Sequence, residues 1–323
     1  MSKNYTIWQQ ISKASKLLST EEIVGVPTET VYGLAAQINS EKALRKIFEI
    51  KERPFFDPLI VHISSYDQLP SVTIGLSQSA KCLTTNFWPG PLTLVLPKAT
   101  ELNPLITSGL DTVGVRMPSH PFARRILNQT KIPFAAPSAN KFGKTSPTTA
   151  DHVRQEFGDE VFVLDGGAAA IGIESTVVEV REKSLSILRP GMITADQIRA
   201  VLNANNLNLE ILTAESSASP GHTETHYMPK VPLIVFAASP TKEQISLIKS
   251  RLSLGELTAS ELKLNQDPRI AARELYQQFR SFTPENTSFF FVIRNNYAPG
   301  SEWEAIWNRI GKAATLECRS AKS

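Results

Sequence analysis

Three arginines and a lysine stand where apolar runs begin or end, and these are the side chains of this sequence best suited to holding an anion. Lys51 and Arg53 lie in KERPFFDPLIVH (51–62), where a helical pattern stops at Pro54. Cations at a helix C-terminus complement its dipole. Followed by a proline-stiffened turn, the same two residues also present a charged fork and a point charge to a polyphosphate. Arg116 sits inside the apolar run VGVRMP (113–118), and Arg189 follows another in LRPG (188–191). A guanidinium in such a run needs a partner, either a structural carboxylate or an anionic ligand.

Hydroxyls and amides gather at similar places. PTETVYG (27–33) carries Thr28, Glu29 and Thr30 straight after a strand pattern, where the ordinary role would be an N-cap. APSANKFGKTSPTTA (136–150) concentrates Ser138, Asn140, Lys144, Ser146 and Thr148. Such side chains hydrogen-bond a ribose or phosphate, or serve simple turns. Ser175 stands in ESTVV (174–178), and His62 lies within an apolar run, the usual setting of a core histidine. There is no GxxxxGK[ST] and no GxGxxG between a strand and a helix. The cluster Gly166, Gly167 and Gly172 has the spacing of neither. His222 and His226 are four apart, a metal-binding interval on a helix, but Pro220 and Gly221 oppose a helix there, so they read as loop histidines. Arginines and hydroxyls at strand ends, with no nucleophile–base pair, describe a site that binds an anion and positions reactants.

The elements that must carry these residues alternate. A strand is expected over 22–26. Ser40 is placed to cap a helix whose Ala43, Leu44, Ile47 and Phe48 share a face and which ends near Lys51. Further strands are expected over 59–63, 92–96, 113–117, 132–136, 161–164, 175–180 and 185–188. Many strands with intervening helices make an α/β or α+β domain with a sizeable sheet. Periodicity fades from about residue 203, and 208–230 reads as a linker or long loop, a feature that at such length is usually either functional or a plain tether. A second pattern follows from 231: a strand over 231–236, helices from 241 and over 268–282, a strand over 288–293 and a helix over 302–314. That order expects a small α/β module.

The chain has 323 residues, about two domains' worth, and a hydrophobic share of 41% that can fill real cores. Its net charge of +3 is too small to announce a protein whose affinity rests on many phosphate contacts with nucleic acid. Cys82 and Cys318, far apart in the chain, form no disulfide framework. The N-terminus, MSKNYTIWQQ, has neither an apolar signal-peptide core nor the arginine-rich character of a transit peptide. No apolar stretch approaches the roughly 18 residues of a membrane span. A soluble, cytoplasmic, two-domain protein without a membrane partner is expected.

Taken together, PTETVYGLA, KERPFFDPLIVH, FWPGPLTLVL, VGVRMPSHP, APSANKFGKTSPT, LDGG, GIESTVV, ILRPG and SPGHTETHYMP, in this order from residue 27 to 229, resemble the threonylcarbamoyladenylate synthase family in its long, YrdC-like form. ARELYQQFR (272–280) and WEAIWNRIGKAA (303–314) resemble that family's smaller domain more loosely. The resemblance implies a twisted open mixed α/β sheet over 1–207, a linker or lid over 208–230, and a smaller Rossmann-like α/β domain over 231–323. It also implies a nucleotidyltransferase that makes threonylcarbamoyl-AMP and pyrophosphate from L-threonine, bicarbonate or CO2, and ATP accompanied by Mg2+, with no protein-caged metal. The product would pass to a tRNA threonylcarbamoyl transferase complex; direct tRNA binding is left open.

Carried over by motif, Thr30, His62, Arg116, Ala136 and Ser175 fall on the threonine contacts. Lys51, Arg53, Asp57, Thr112, Ser138, Asn140, Ser146, Arg189 and Tyr227 fall on the ATP contacts, with Lys51 and Arg53 as the catalytic pair. Asp57 departs from the family's usual Asn, and a carboxylate beside phosphates repels them unless Mg2+ intervenes. SPGHTETHYMP lacks the basic-aromatic middle of many relatives, leaving Tyr227 as the linker's candidate contact. Two other readings stand beside this one: a non-catalytic RNA-binding or ribosome-assembly protein, and an enzyme adenylating another carbamoylated acceptor.

Overall fold

The structure, a computed structural model, describes residues 6–213, 226–255 and 257–318. The chain divides into two compact units, Met1–Phe142 with Ser146–His222, and Gly143–Thr145 with Thr223–Ser323.

The first unit runs α1 (Ile7–Ser19), β1 (Val24–Val26), β2 (Gly33–Gln37), α2 (Glu41–Lys51), β3 (Ile60–His62), α3 (Gln78–Phe87), β4 (Leu92–Pro97), α4 (Pro104–Thr107), β5 (Thr112–Arg116), α5 (Pro121–Thr130), β6 (Phe134–Ala135), α6 (Ala150–Phe157), β7 (Phe162–Val163), β8 (Thr176–Val180), β9 (Ser184–Arg189), α7 (Ala195–Ala204) and β10 (Glu210–Thr213). The ten strands make one mixed sheet in the order β10-β9-β8-β4-β5-β3-β6-β2-β1-β7. Alternation along the strands sends neighbouring residues to opposite faces. Leu34 and Ala36 of β2 therefore join an apolar cluster with Leu44, Ile47, Leu94 and Val115. Ala35 between them joins another, with Ile11, Leu18, Ile126 and Leu127 of α1 and α5. Both faces are covered, which explains why so many strands read as unbroken apolar runs.

α2 forms as its sequence requires. Ser40 Oγ accepts from Ala43 N at 3.1 Å, the apolar stripe is buried, and Glu52 closes the helix in the left-handed region at φ 53°. Its last residue is Lys51, so helix and cation arrive together. β2 was not expected, because Gly33 and three small or polar neighbours give no strand pattern; pairing with β1 and β6 makes it one. The residues after PTETVYG enter this strand rather than a helix, so Thr28 is a turn residue and not an N-cap. Residues 210–213, expected as the start of a linker, form β10, an edge strand paired in parallel with β9. The stretch 214–225, with Ser219 to Thr225 of SPGHTETHYMP and His222, lies outside the described residues.

The second unit runs β11 (Leu233–Phe236), α8 (Lys242–Arg251), β12 (Ser260–Glu261), α9 (Pro268–Ser281), β13 (Phe290–Ile293), α10 (Ser301–Ala313) and β14 (Leu316–Cys318). The four strands pair in parallel in the order β12-β13-β11-β14, with helices in the crossovers that parallel pairing demands. β12 and β14 were not expected; they are two and three residues long, too short for a period-two signal.

Candidate active site

Arg116 ends β5, where the register places it opposite His62 of β3 and Thr93 of β4. Its guanidinium is ion-paired with Glu29 (Nη2 to Oε1, 2.7 Å), with side chains 5% and 8% exposed. Nη1 donates to Thr30 Oγ1 at 2.9 Å, and Nε donates to the Gly90 carbonyl at 3.3 Å. Thr28 Oγ1 donates to the Val31 carbonyl at 2.6 Å, so in the 2.9 Å contact between the two hydroxyls Thr30 is the donor. The turn is thus wired from Arg116 through Thr30 to Thr28. The alternative left open for Arg116 resolves in part, since a structural carboxylate is present.

Burial opposes the charge on Glu29, yet Arg116, with the backbone N–H groups of Glu29 and Ser119, holds its carboxyl below the usual range. His62 responds oppositely: burial, reinforced by Arg116, pushes its pKa down to about 3. Its Nδ1 lies 3.2 Å from the Ile60 carbonyl, so the neutral ring carries its proton there and leaves Nε2 as an acceptor. The ring stacks on Phe134 at 5.5 Å.

Ser175, just before β8, connects this region to a second one. Its Oγ lies 2.8 Å from Thr93 Oγ1 and accepts from Arg189 Nη2 at 3.1 Å, while Arg189 Nε donates to the Ser175 carbonyl at 3.1 Å. Gly191 of LRPG is required here: a Cβ would stand 2.5 Å from Thr176 N and 2.9 Å from the Ser175 carbonyl carbon.

Lys51 is 1% exposed. Its Nζ donates to the Ser138 carbonyl at 2.6 Å and to the Asn140 carbonyl. Burial, then the charge of Arg53, holds its pKa well below the usual lysine value. Arg53 is buried too and feels Arg189 as a like charge. It pairs with Asp57 Oδ2 at 3.0 Å and donates to the Asp57 and Pro58 carbonyls at 3.1 and 2.7 Å. Ser146 Oγ donates to Glu174 Oε1 at 2.6 Å. Crowded buried cations repel one another, and an anionic ligand relieves that repulsion.

The expected residues therefore gather into two connected groups: Thr30, His62, Arg116 and Ser175 around Arg116, and Lys51, Arg53, Ser138, Asn140 and Arg189 around Arg53. Ala136 stands near both in sequence, its N–H given to the Ile60 carbonyl at 3.0 Å. Asp57 is engaged by Arg53. Thr112 stands apart, beginning β5 four residues before Arg116, about 13 Å away along the strand. Tyr227 belongs to the second unit, where it is buried against Tyr276, ring centroids 5.7 Å apart, with the Arg309 guanidinium 5.4 Å from its ring. Sequence reasoning named Glu29 only as a capping residue and gave Thr93 and Glu174 no role. The one available signal for Glu29 was a carboxylate between two threonines beside an apolar strand.

Fold and site together define an α/β protein with a mixed sheet and a buried cluster of arginines joined to a second cluster of buried polar side chains around Arg116. A family model described as "Telomere recombination" matches residues 16–191, and one described as "Threonylcarbamoyl-AMP synthase, C-terminal domain" matches 193–315. The threonylcarbamoyl-AMP synthase of Bacillus subtilis is 38% identical, over 94% of this chain and 93% of its own length. That of Pyrococcus abyssi is 41% identical, over 94% of both. The crystal structure of P. abyssi Sua5 complexed with L-threonine superposes with a TM-score of 0.84 at 32% identity, covering 98% of each chain. The chain belongs to the threonylcarbamoyl-AMP synthase family.

Proposed function

We propose that this enzyme condenses L-threonine, bicarbonate or CO2, and ATP into threonylcarbamoyl-AMP, releasing pyrophosphate. The observation that carries the reading is the link Arg116–Thr93–Ser175–Arg189, which joins the polar side chains around Arg116, suited to a small amino acid, to the cations suited to a triphosphate. Thr30, His62, Arg116, Ala136 and Ser175 hold threonine, with Arg116 on its carboxylate and His62 Nε2 on its hydroxyl. Lys51, Arg53, Ser138, Asn140, Ser146 and Arg189 hold ATP. Asp57 acts on the nucleotide through Arg53, while Thr112 and Tyr227 are assigned to it on family resemblance alone. Mg2+ enters on the triphosphate as part of the substrate. Among the described residues, no group of three or more His, Cys, Asp or Glu side chains could hold a metal ion.

Threonine's nitrogen takes up the one-carbon unit to give a carbamate. A carbamate oxygen then attacks the α-phosphate in line, and pyrophosphate leaves. Displacement at phosphorus needs alignment and charge neutralisation more than covalent help, which suits Lys51 and Arg53. The carbamate decomposes in water, so a cover over the site is valuable. We assign that role to the linker or lid expected over 208–230, apart from its residues 210–213, which form β10, between a catalytic domain expected over 1–207 and a Rossmann-like domain over 231–323. Among the described residues no helix is long and apolar enough to cross a membrane. We place the enzyme in the cytoplasm, supplying a tRNA threonylcarbamoyl transferase complex.

Pyrophosphate release with MgATP and bicarbonate tests the reading. It should depend on L-threonine over L-serine and L-valine, and fall at least about 100-fold in folded Arg53→Ala and Arg116→Ala variants, and sharply when 215–229 are deleted. Release with another amino acid, or none with threonine, would move the assignment to a different acceptor or to a binding role.

A further inference from the structure

Glu29 has no part in the reaction as described so far. Its carboxylate is buried and lies 2.7 Å from Arg116 Nη2. That approach is not aligned as a hydrogen bond, and neither oxygen of Glu29, nor Nη2 of Arg116, makes a well-aligned hydrogen bond among the described residues, although the backbone N–H groups of Glu29 and Ser119 face the carboxylate. The other Arg116 nitrogens named above are committed to Thr30 and Gly90. A buried cation and a buried anion thus face each other, each keeping hydrogen-bonding capacity for a third group, an arrangement that is costly unless that group arrives.

An α-amino acid carries the complementary pair, a carboxylate and an ammonium on one carbon. We infer that Glu29 is the second arm of an amino-acid clamp: it receives the threonine ammonium while Arg116 receives the carboxylate, and it accepts the proton that carbamate formation releases. The inference rests on the placement of threonine at Arg116. The step balances with bicarbonate as carbon source. Nitrogen forms a bond to the bicarbonate carbon, a carbon–oxygen bond breaks, and the departing hydroxyl leaves as water with one ammonium proton. A second ammonium proton goes to Glu29, giving a neutral carboxylic acid, and the third stays on the carbamate nitrogen.

The neighbouring groups do not compete for that proton. His62 is kept neutral by burial and by Arg116, and His120 Nδ1 already accepts from Phe122 N at 3.2 Å. Lys51 Nζ is committed to the Ser138 and Asn140 carbonyls. In the unliganded site Arg116 favours the ionised form of Glu29; once the threonine carboxylate neutralises Arg116, that restraint on proton uptake weakens.

The test compares L-threonine with its desamino analogue, 3-hydroxybutanoate, by isothermal titration, alongside pyrophosphate release. The unaltered enzyme should favour threonine by at least about 100-fold. Glu29→Gln should reduce that preference to about threefold or less and lower threonine-dependent release at least about 100-fold, while binding AMP normally and melting as a folded protein. A folded Glu29→Gln that keeps the preference, or turns over normally, overturns the inference. Should it not fold, Glu29→Asp decides: discrimination against the desamino acid retained supports the clamp, and discrimination lost removes it. If the unaltered enzyme releases no pyrophosphate with threonine, it is the synthase reading that fails, a result distinct from any of these.

Discussion

His62 sits in a strand closed on both faces, stacked on Phe134 and opposite Arg116. Its folded-state pKa of about 3 lies below the ordinary 6.5. As pH falls through 6.5 the unfolded chain takes up a proton that the folded one refuses, so stability is lost toward acid, by up to about 1.4 kcal/mol per pH unit for this one group. Urea midpoints measured between pH 6.5 and 5, above the range where ordinary carboxylates titrate, should fall with pH in the native protein. They should fall less in a His62→Gln variant, and equal slopes would show that the ring is not held neutral. Asp57, the position where the family resemblance leads one to expect an amide, lies 3.0 Å from Arg53 rather than standing alone before phosphates. The motifs identified Arg53 and Arg116 as anion-binding candidates, but not Glu29 as a partner. Thr30, beside Glu29, is 86 positions from Arg116, and no local pattern reports a contact across such a distance.

The loop after β9 shows how an element positions side chains it does not contain. Gly191 lets its backbone lie against Ser175 and Thr176, where Thr176 Oγ1 accepts from Ile193 N at 3.1 Å and donates to the Ile193 carbonyl at 2.8 Å. Gly191→Ala would place a methyl group 2.5 Å from Thr176 N, displacing the backbone that carries Ser175. Such overpacking costs about 1–3 kcal/mol, and the KM for threonine should rise more than that for ATP, because the displaced hydroxyl faces Thr93. Equal stability and an unchanged KM would show that the loop yields without disturbing Ser175. Elements with caps and long stripes, such as α2 behind Ser40 and α9 behind Asp267, are readable from their residues because these signals lie within one or two turns. β2, β10, β12 and β14 are not, since a short strand owes its existence to the neighbour it pairs with.

Each unit has an apolar core of its own, Leu34, Leu44, Val61, Leu94 and Val115 in one, and Ile234, Phe236, Phe289 and Phe291 in the other. Every contact described for Arg116, Ser175 and Arg53 is made by residues of the first unit. A fragment comprising residues 1–222 should therefore fold and bind L-threonine with a Kd within about tenfold of the full chain's, a difference of about 1.4 kcal/mol. A folded fragment without threonine binding would mean that residues beyond 222 complete the pocket.

Composition, periodicity and motif order were enough to establish an α/β chain of two domains, the family it belongs to, and most of the residues that meet around Arg53 and Arg116, because these signals are carried by short stretches of chain. Folding settled which charges face one another. It gave Arg116 the carboxylate of Glu29 and Arg53 that of Asp57, joined the two groups through Thr93 and Ser175, and placed Tyr227 in the core of the second unit. Those pairings come from strand register and burial between residues remote in sequence, and burial is also what gives His62 and Lys51 proton affinities their residue types alone would not have.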